Sequence, residues 1–359
     1  MMKKNIKWLQ YSISLIVFII SVVSIFNYKI DSLGLFGNSN YLLKAAKTLT
    51  SGKMIAGLKN NDERLFQELI IKNLQVKNDV IAIGSSRTMQ LRKRFFLESK
   101  INFFNHSVSG ASLEDYIAIV GAYESIHGYL PTSIILGIDP WVFNKYSGQN
   151  RWKTLSKYYN YEVAKIYNTK QNISNSVNTT KWKQLINYDY TISNIKFFKT
   201  LLKNDGQAFY ITDTINIDDS IKETDGSIYY SFKQRNPNYN EVKKTAISYT
   251  KGQVYSLTKY NTLSNTKLFE NFIKYLQSKS INVILFLPPY NPITYDLLIE
   301  NEKYKYIQIA EQYINNFAIK HNVDVKGSYN PHKYGFTNKN FFDGMHGHDD
   351  VAKKIFETN

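Results

Sequence analysis

Between Trp8 and Tyr28 the chain carries no charged side chain: WLQYSISLIVFIISVVSIFNY. At about 1.5 Å per residue a helix of that length covers the roughly 30 Å hydrocarbon core of a bilayer, and the run reads as one spanning segment. Lys3, Lys4 and Lys7 precede it, and Trp8, Tyr11 and Tyr28 lie near its ends. Flanking lysines and terminal aromatics fit the positive-inside rule and the aromatic belt. Residues 1–7 are therefore expected in the cytoplasm, residues 8–28 in the membrane as an anchor, and the rest outside the cell membrane. A cleaved signal peptide is the rival reading. Its apolar region is usually only about 7–15 residues long and ends in a small-x-small site, whereas KIDSLGLF follows here.

The remaining chain is long enough for at least one full core, since 43% of the 359 residues are hydrophobic and 15% aromatic. An excess of 45 Lys and Arg over 29 Asp and Glu gives a formal charge of +16, which attracts polyanions. With the body outside the membrane, the expected polyanion is an anionic or hydroxyl-rich envelope polymer or a lipid head group rather than nucleic acid. No P-loop, RNA-binding signature or Cys-His zinc pattern points to nucleic acid instead. The absence of cysteine excludes disulfides, thiolate metal sites and a Cys nucleophile.

Five short apolar runs bounded by turn residues follow: Asp79–Gly84, Asn102–Ser107, Ser133–Asp139, Asn282–Pro289 and Asn322–Gly327. Rich in β-branched residues and separated by helical patterns, they predict a doubly wound, five-stranded parallel α/β sheet buried on both faces. Residues 29–78 read as a stalk with a lead-in helix over Glu63–Gln75, and residues 79–359 as the domain. The third and fourth runs are too far apart for one crossover helix, which places a large insertion at about 144–263. This Tyr- and Asn-rich stretch is expected to form a lid or substrate-binding subdomain, in which Trp152 and Trp182 stack on sugars or serve a local core.

In open α/β sheets, ligands sit beyond the carboxyl ends of the strands, so chemistry is sought there. The first run ends in Gly84-Ser85-Ser86-Arg87, and TMQLRKRFF predicts a helix after it. A serine on such a turn exposes its hydroxyl and aims its own N–H at an oxyanion. The same serines and Arg87 at a helix N-terminus also suit a phosphate. Near the other end, Asp343-Gly344-Met345-His346 follows the last strand. An Asp three residues before a His fixes the imidazole tautomer and leaves the second nitrogen for a nucleophile. His332, His346 and His348 lie close in sequence, but the base-and-orienter reading leaves no metal site, and no cofactor is expected.

Taken together, Gly84-Ser85-Ser86 and Asp343-x-x-His346 resemble the SGNH (GDSL-like) hydrolase superfamily. That resemblance implies a flavodoxin-like sheet and a triad of Ser86, Asp343 and His346. Asn105-His106-Ser107-Val108-Ser109-Gly110 resembles the family's second block, which implies that the N–H groups of Ser86 and Gly110 form the oxyanion hole. Where the family's third block has an Asn donor, this chain has Gly137-Ile138-Asp139-Pro140. An ionised Asp cannot donate a hydrogen bond and repels a developing negative charge. Asp139 is left to orient Arg87, to meet a substrate hydroxyl or to end its strand. Arg87, Asn105 and Asp139 thus stand as substrate-binding or structural residues. The single N-terminal helix brings the chain closest to a membrane-anchored subgroup similar to the D-alanyl transfer protein of teichoic acid synthesis and to alginate O-acetylation proteins. The implied function is acyl transfer, acetyl or D-alanyl, onto an envelope polysaccharide or teichoic acid, alongside a multi-spanning membrane acyltransferase. Esterase action shares every residue of that scheme. The alternative is a non-catalytic polysaccharide-binding or scaffold protein of the same fold.

Overall fold

The computed structural model describes residues 2–37, 40–59, 61–96, 101–169, 180–204, 206–251 and 254–357. Residues 170–179 of the expected insertion thus lie outside the described residues. All five apolar runs form strands: β1 Val80–Ile83, β2 Phe103–Asn105, β3 Ser133–Gly137, β4 Asn282–Leu287 and β5 Asp324–Gly327. They pair in parallel in the order β2-β1-β3-β4-β5.

Among the helices are α1 Met2–Ile30, α2 Tyr41–Thr50, α3 Glu63–Asn73, α4 Leu113–His127, α5 Tyr188–Lys203, α6 Thr266–Ser278, α7 Tyr306–His321 and α8 Asp349–Glu357. Alternate side chains of the strands enter two separate cores. Ile81, Ile83, Ile134, Leu136, Val283 and Leu285 pack with α4, α6 and α7. Ala82, Phe103, Ile135 and Phe286 pack with Val351, Ala352 and Ile355 of α8. Burial on both faces is why these strands are continuously apolar rather than alternating.

α1 is long and apolar enough to cross a membrane from Ile6 to Ile30. Within residues 29–78 the expected lead-in helix is present as α3, and the segment packs on the body rather than standing apart from it. Leu42, Ala45, Ala46 and Leu49 of α2 share a core with Phe66 and Ile70 of α3 and with Phe104 of β2. Ile55–Ala56 is the second strand of a small antiparallel sheet whose other members, Tyr210–Ile211, Ile221–Lys222 and Ile228–Tyr229, belong to the insertion. The amphipathic spacing in this segment therefore buries an apolar face against the body. The Arg64 guanidinium adds a bidentate ion pair at 2.9 Å to Asp115 of α4, both groups being buried.

Candidate active site

The turn after β1 is not an α-helix. Thr88 N–H donates to Ser85 O and Leu91 N–H to Thr88 O, and the chain then runs on through a single 3-10 turn at Lys93–Phe95. Side-chain demands override the helical pattern, because Arg87, Thr88, Gln90 and Arg92 all point into the protein. Asn105 Nδ2 bridges Thr88 O and Leu91 O at 2.9 Å each, holding carbonyls that a helix would have consumed. With no helix starting at Ser86, no helix dipole supports an oxyanion or a phosphate there. Close approach also shapes the turn: a Cβ on Gly84 would lie 2.3 Å from Thr88 Oγ1, and one on Gly137 would meet the same atom.

Ser85 is fully buried and accepts the Arg87 N–H at 3.1 Å, whereas Ser86 is partly exposed. Ser86 Oγ lies 2.9 Å from His346 Nε2, and His346 Nδ1 lies 2.8 Å from Asp343 Oδ2. The second Asp343 oxygen accepts the Met345 and His346 N–H groups at 2.8 Å each. Phe341 and Gly347 form a bridge across the loop, and Phe342 N–H donates to His346 O. Burial raises the Asp343 carboxyl, but the His346 charge and these hydrogen bonds outweigh it and hold Asp343 below its ordinary value. Gly344 is a requirement of packing, since a Cβ there would lie 2.4 Å from the Tyr249 ring.

Gly110 takes a left-handed φ of +54°, and a Cβ would lie 2.5 Å from Arg151 Nη2. Neither its N–H nor that of Ser86 has an acceptor among the described residues, which leaves both donors free. Ser86 and His346 open into a cleft of about 570 Å³ whose lining includes Glu63, Ser109, Arg151 and Tyr230.

The three remaining expected residues lie behind the cleft. Arg87 donates to Asp139 Oδ1 at 2.7 Å, to Met345 O at 3.1 Å and to Pro288 O, and lies over the Tyr290 ring. A guanidinium so occupied cannot hold a phosphate, and Arg87 instead ties the serine turn to the histidine loop. Asp139 is fully buried; desolvation raises its carboxyl above the ordinary value, with the Arg87 charge acting against it. Its contact is with Arg87, while Asn105 is buried against the backbone of the serine turn.

Tyr230, from the insertion, was not singled out by the sequence. Its hydroxyl donates to Ser86 O at 3.0 Å, and its ring lies 5.6 Å from the His346 ring. Arg92 was missed too; it pairs with Asp349 of α8 and with Glu223 of the insertion, and donates to Ile228 O. The insertion is thus a brace on the serine turn as well as a wall of the cleft. The Asp225-Gly226 dipeptide between two β-prone pairs was the available signal for this hairpin. Trp152 packs on Tyr159 as a local core, 4.6 Å between ring centroids, and Trp182 is exposed beside Phe36. Compared with protein-family models, curated proteins and solved structures, the chain gives no match.

Proposed function

We propose that the chain is a membrane-anchored serine acyltransferase or esterase with Ser86 as nucleophile, His346 as general base and Asp343 as its orienter. The observation that carries this reading is the unbroken line of contacts from Ser86 Oγ through His346 to Asp343, at 2.9 Å and 2.8 Å. His346 Nε2 removes the Ser86 proton as Oγ attacks an acyl ester or thioester carbonyl. The N–H groups of Ser86 and Gly110 stabilise the tetrahedral oxyanion, and His346 returns the proton to the leaving group. A hydroxyl acceptor, activated by the same imidazole, then takes the acyl group from Ser86; water in its place makes the reaction hydrolysis.

The strand order β2-β1-β3-β4-β5 supports reading the sheet as flavodoxin-like, and with it the SGNH resemblance carried by Gly84-Ser85-Ser86 and Asp343-x-x-His346. Lys3, Lys4 and Lys7 favour an extracytoplasmic body. The net charge of +16 favours an anionic envelope polymer, a polysaccharide or teichoic acid, as acceptor. A multi-spanning membrane acyltransferase is the proposed source of acyl groups. The test is hydrolysis of a short-chain aryl acetate by the full chain in detergent, with Ser86→Ala and His346→Ala alongside. Loss in both variants supports the assignment. A folded wild type without activity on this ester or on an acyl thioester favours the non-catalytic scaffold.

A further inference from the structure

Beyond α1, the described residues expose a second apolar surface, and it adjoins the emerging end of that helix. In α5, Tyr190, Asn194 and Phe197 face inward, while Ile195, Phe198 and Leu202 fall on one outward stripe. Leu202 is 67% exposed, and Ile186 and Trp182 just before the helix are 64% and 52% exposed. Lys196 and Lys199 border the stripe on the helical wheel and are exposed. Isolated surface hydrophobics are ordinary, but a contiguous stripe rimmed by lysine on one helix marks an interaction face.

Its position identifies the partner. The Phe198 ring lies 6.2 Å from Phe26 of α1, and Trp182 connects through Phe36 to Tyr28 in steps of 5.4 Å. The junction is fixed by buried polar contacts. Asn27 Nδ2 donates to Leu185 O and to Thr191 Oγ1, Asn194 Nδ2 donates to Asn27 Oδ1, and Asn194 Oδ1 accepts from Ser32 N–H. The stripe therefore continues the apolar surface of α1 at a set orientation. Beside it opens a cleft of about 790 Å³ lined by Lys29, Lys44 and Lys47 together with Phe197, Leu201 and Phe209. Cationic and apolar groups lining one cleft at the end of a spanning helix match the head group and upper acyl chain of an anionic glycerophospholipid.

We infer that the body docks on the bilayer through Trp182, Ile186 and the Ile195–Phe198–Leu202 stripe, with an anionic phospholipid seated among Lys29, Lys44 and Lys47. This rests on the reading of α1 as a membrane anchor. Docking would hold the cleft of Ser86 close to the membrane, since Leu33, just past α1, lines that cleft too.

The native chain has no cysteine, so single introduced cysteines are unique spin-label sites. The full chain would be placed in nanodiscs of mixed phosphatidylcholine and phosphatidylglycerol, labelled at Val17→Cys, Phe198→Cys, Leu202→Cys or the exposed Ile319→Cys of α7. Collisions with a water-soluble nickel complex and with membrane-soluble oxygen then report depth. Shielding of 198 and 202 from nickel, with 319 open, is expected. If Val17 is shielded but 198 and 202 match 319, docking is overturned while the anchor stands; if Val17 is open, the anchor fails and the inference with it. For the lipid cleft, native mass spectrometry of the nanodisc-derived protein should show phosphatidylglycerol enriched over phosphatidylcholine. Lys44→Glu with Lys47→Glu should lower that enrichment at least about fivefold, roughly the worth of one lysine near an anionic surface. Unchanged enrichment would overturn the head-group assignment.

Discussion

The serine turn and the histidine loop reach the same site by opposite means. The loop at Phe341–Gly347 is nearly self-sufficient: Asp343 binds the backbone of Met345 and His346 and the His346 ring, and the bridge from Phe341 to Gly347 closes it. The turn at Ser85–Arg92 borrows its shape from distant residues. Asn105, Asp139, Glu223, Tyr230 and Asp349 each supply a contact. A locally determined geometry survives damage elsewhere in the fold, whereas a borrowed one fails when any lender is lost. Substitutions on the two sides should therefore differ in kind: chemical loss with an intact fold at the loop, and loss of stability at the turn.

The largest effect is expected at the loop. Asp343→Asn keeps the size of the side chain but presents the wrong partner to His346, and activity on an acyl ester should fall by about 10⁴ in kcat. Thermal unfolding should change far less than activity, and an equally large loss of stability would break the contrast. At the turn, Arg87→Met leaves the buried Asp139 carboxylate without its partner, which costs about 3–5 kcal/mol. Denaturant unfolding of Arg87→Met, Asp139→Leu and the double variant measures this. The double variant should recover much of the loss, and simple additivity would mean that the pair does not act as a unit.

A third effect concerns the loop that carries Gly110. His106 is fully buried between Gln67 and Tyr123. Burial, with the nearby Lys222 charge, pushes its imidazole down to about 3. Unfolding releases it to an ordinary value near 6.5, so the unfolded chain binds the extra proton. Its contribution is complete above about pH 6.5 and is lost as pH falls towards 3, amounting to roughly 2 kcal/mol by pH 5. Unfolding curves at pH 7 and pH 5 should show that loss in the wild type and a smaller one in His106→Gln. The smallest effect is expected for Tyr230→Phe, which removes one hydrogen bond to Ser86 O and should cost about 0.5–1.5 kcal/mol with a reduced kcat. An unaltered kcat would show that the insertion does not position Ser86.

The same contrast governs what could be read from the amino-acid sequence. The five strands were legible because burial on both faces leaves a local signature in every run. The Asp343–His346 pair was legible because its geometry is set within four consecutive residues. Ser86 lies beside His346, as the motif spacing leads one to expect, but the helix expected after it is absent: Thr88, Gln90 and Arg92 carry a helix-compatible pattern that buried, long-range partners override. In residues 29–78 the lead-in helix was legible, but the packing of the segment on the body was not, since it depends on the remote Phe104 and Phe209 as well as on Leu42, Phe66 and Ile70. The role of Asp139 was not legible because its partner, Arg87, is remote in sequence and the pair is buried together.

The central claim is that Ser86 is an activated nucleophile. Full-length protein in detergent would be treated with a fluorophosphonate, which phosphonylates activated serines, and the adduct located by peptide mass spectrometry. The account predicts a single adduct on Ser86, absent in Ser86→Ala and formed at least about 10³ times more slowly in His346→Ala. A folded protein that takes no label, or one labelled at another serine, would contradict it.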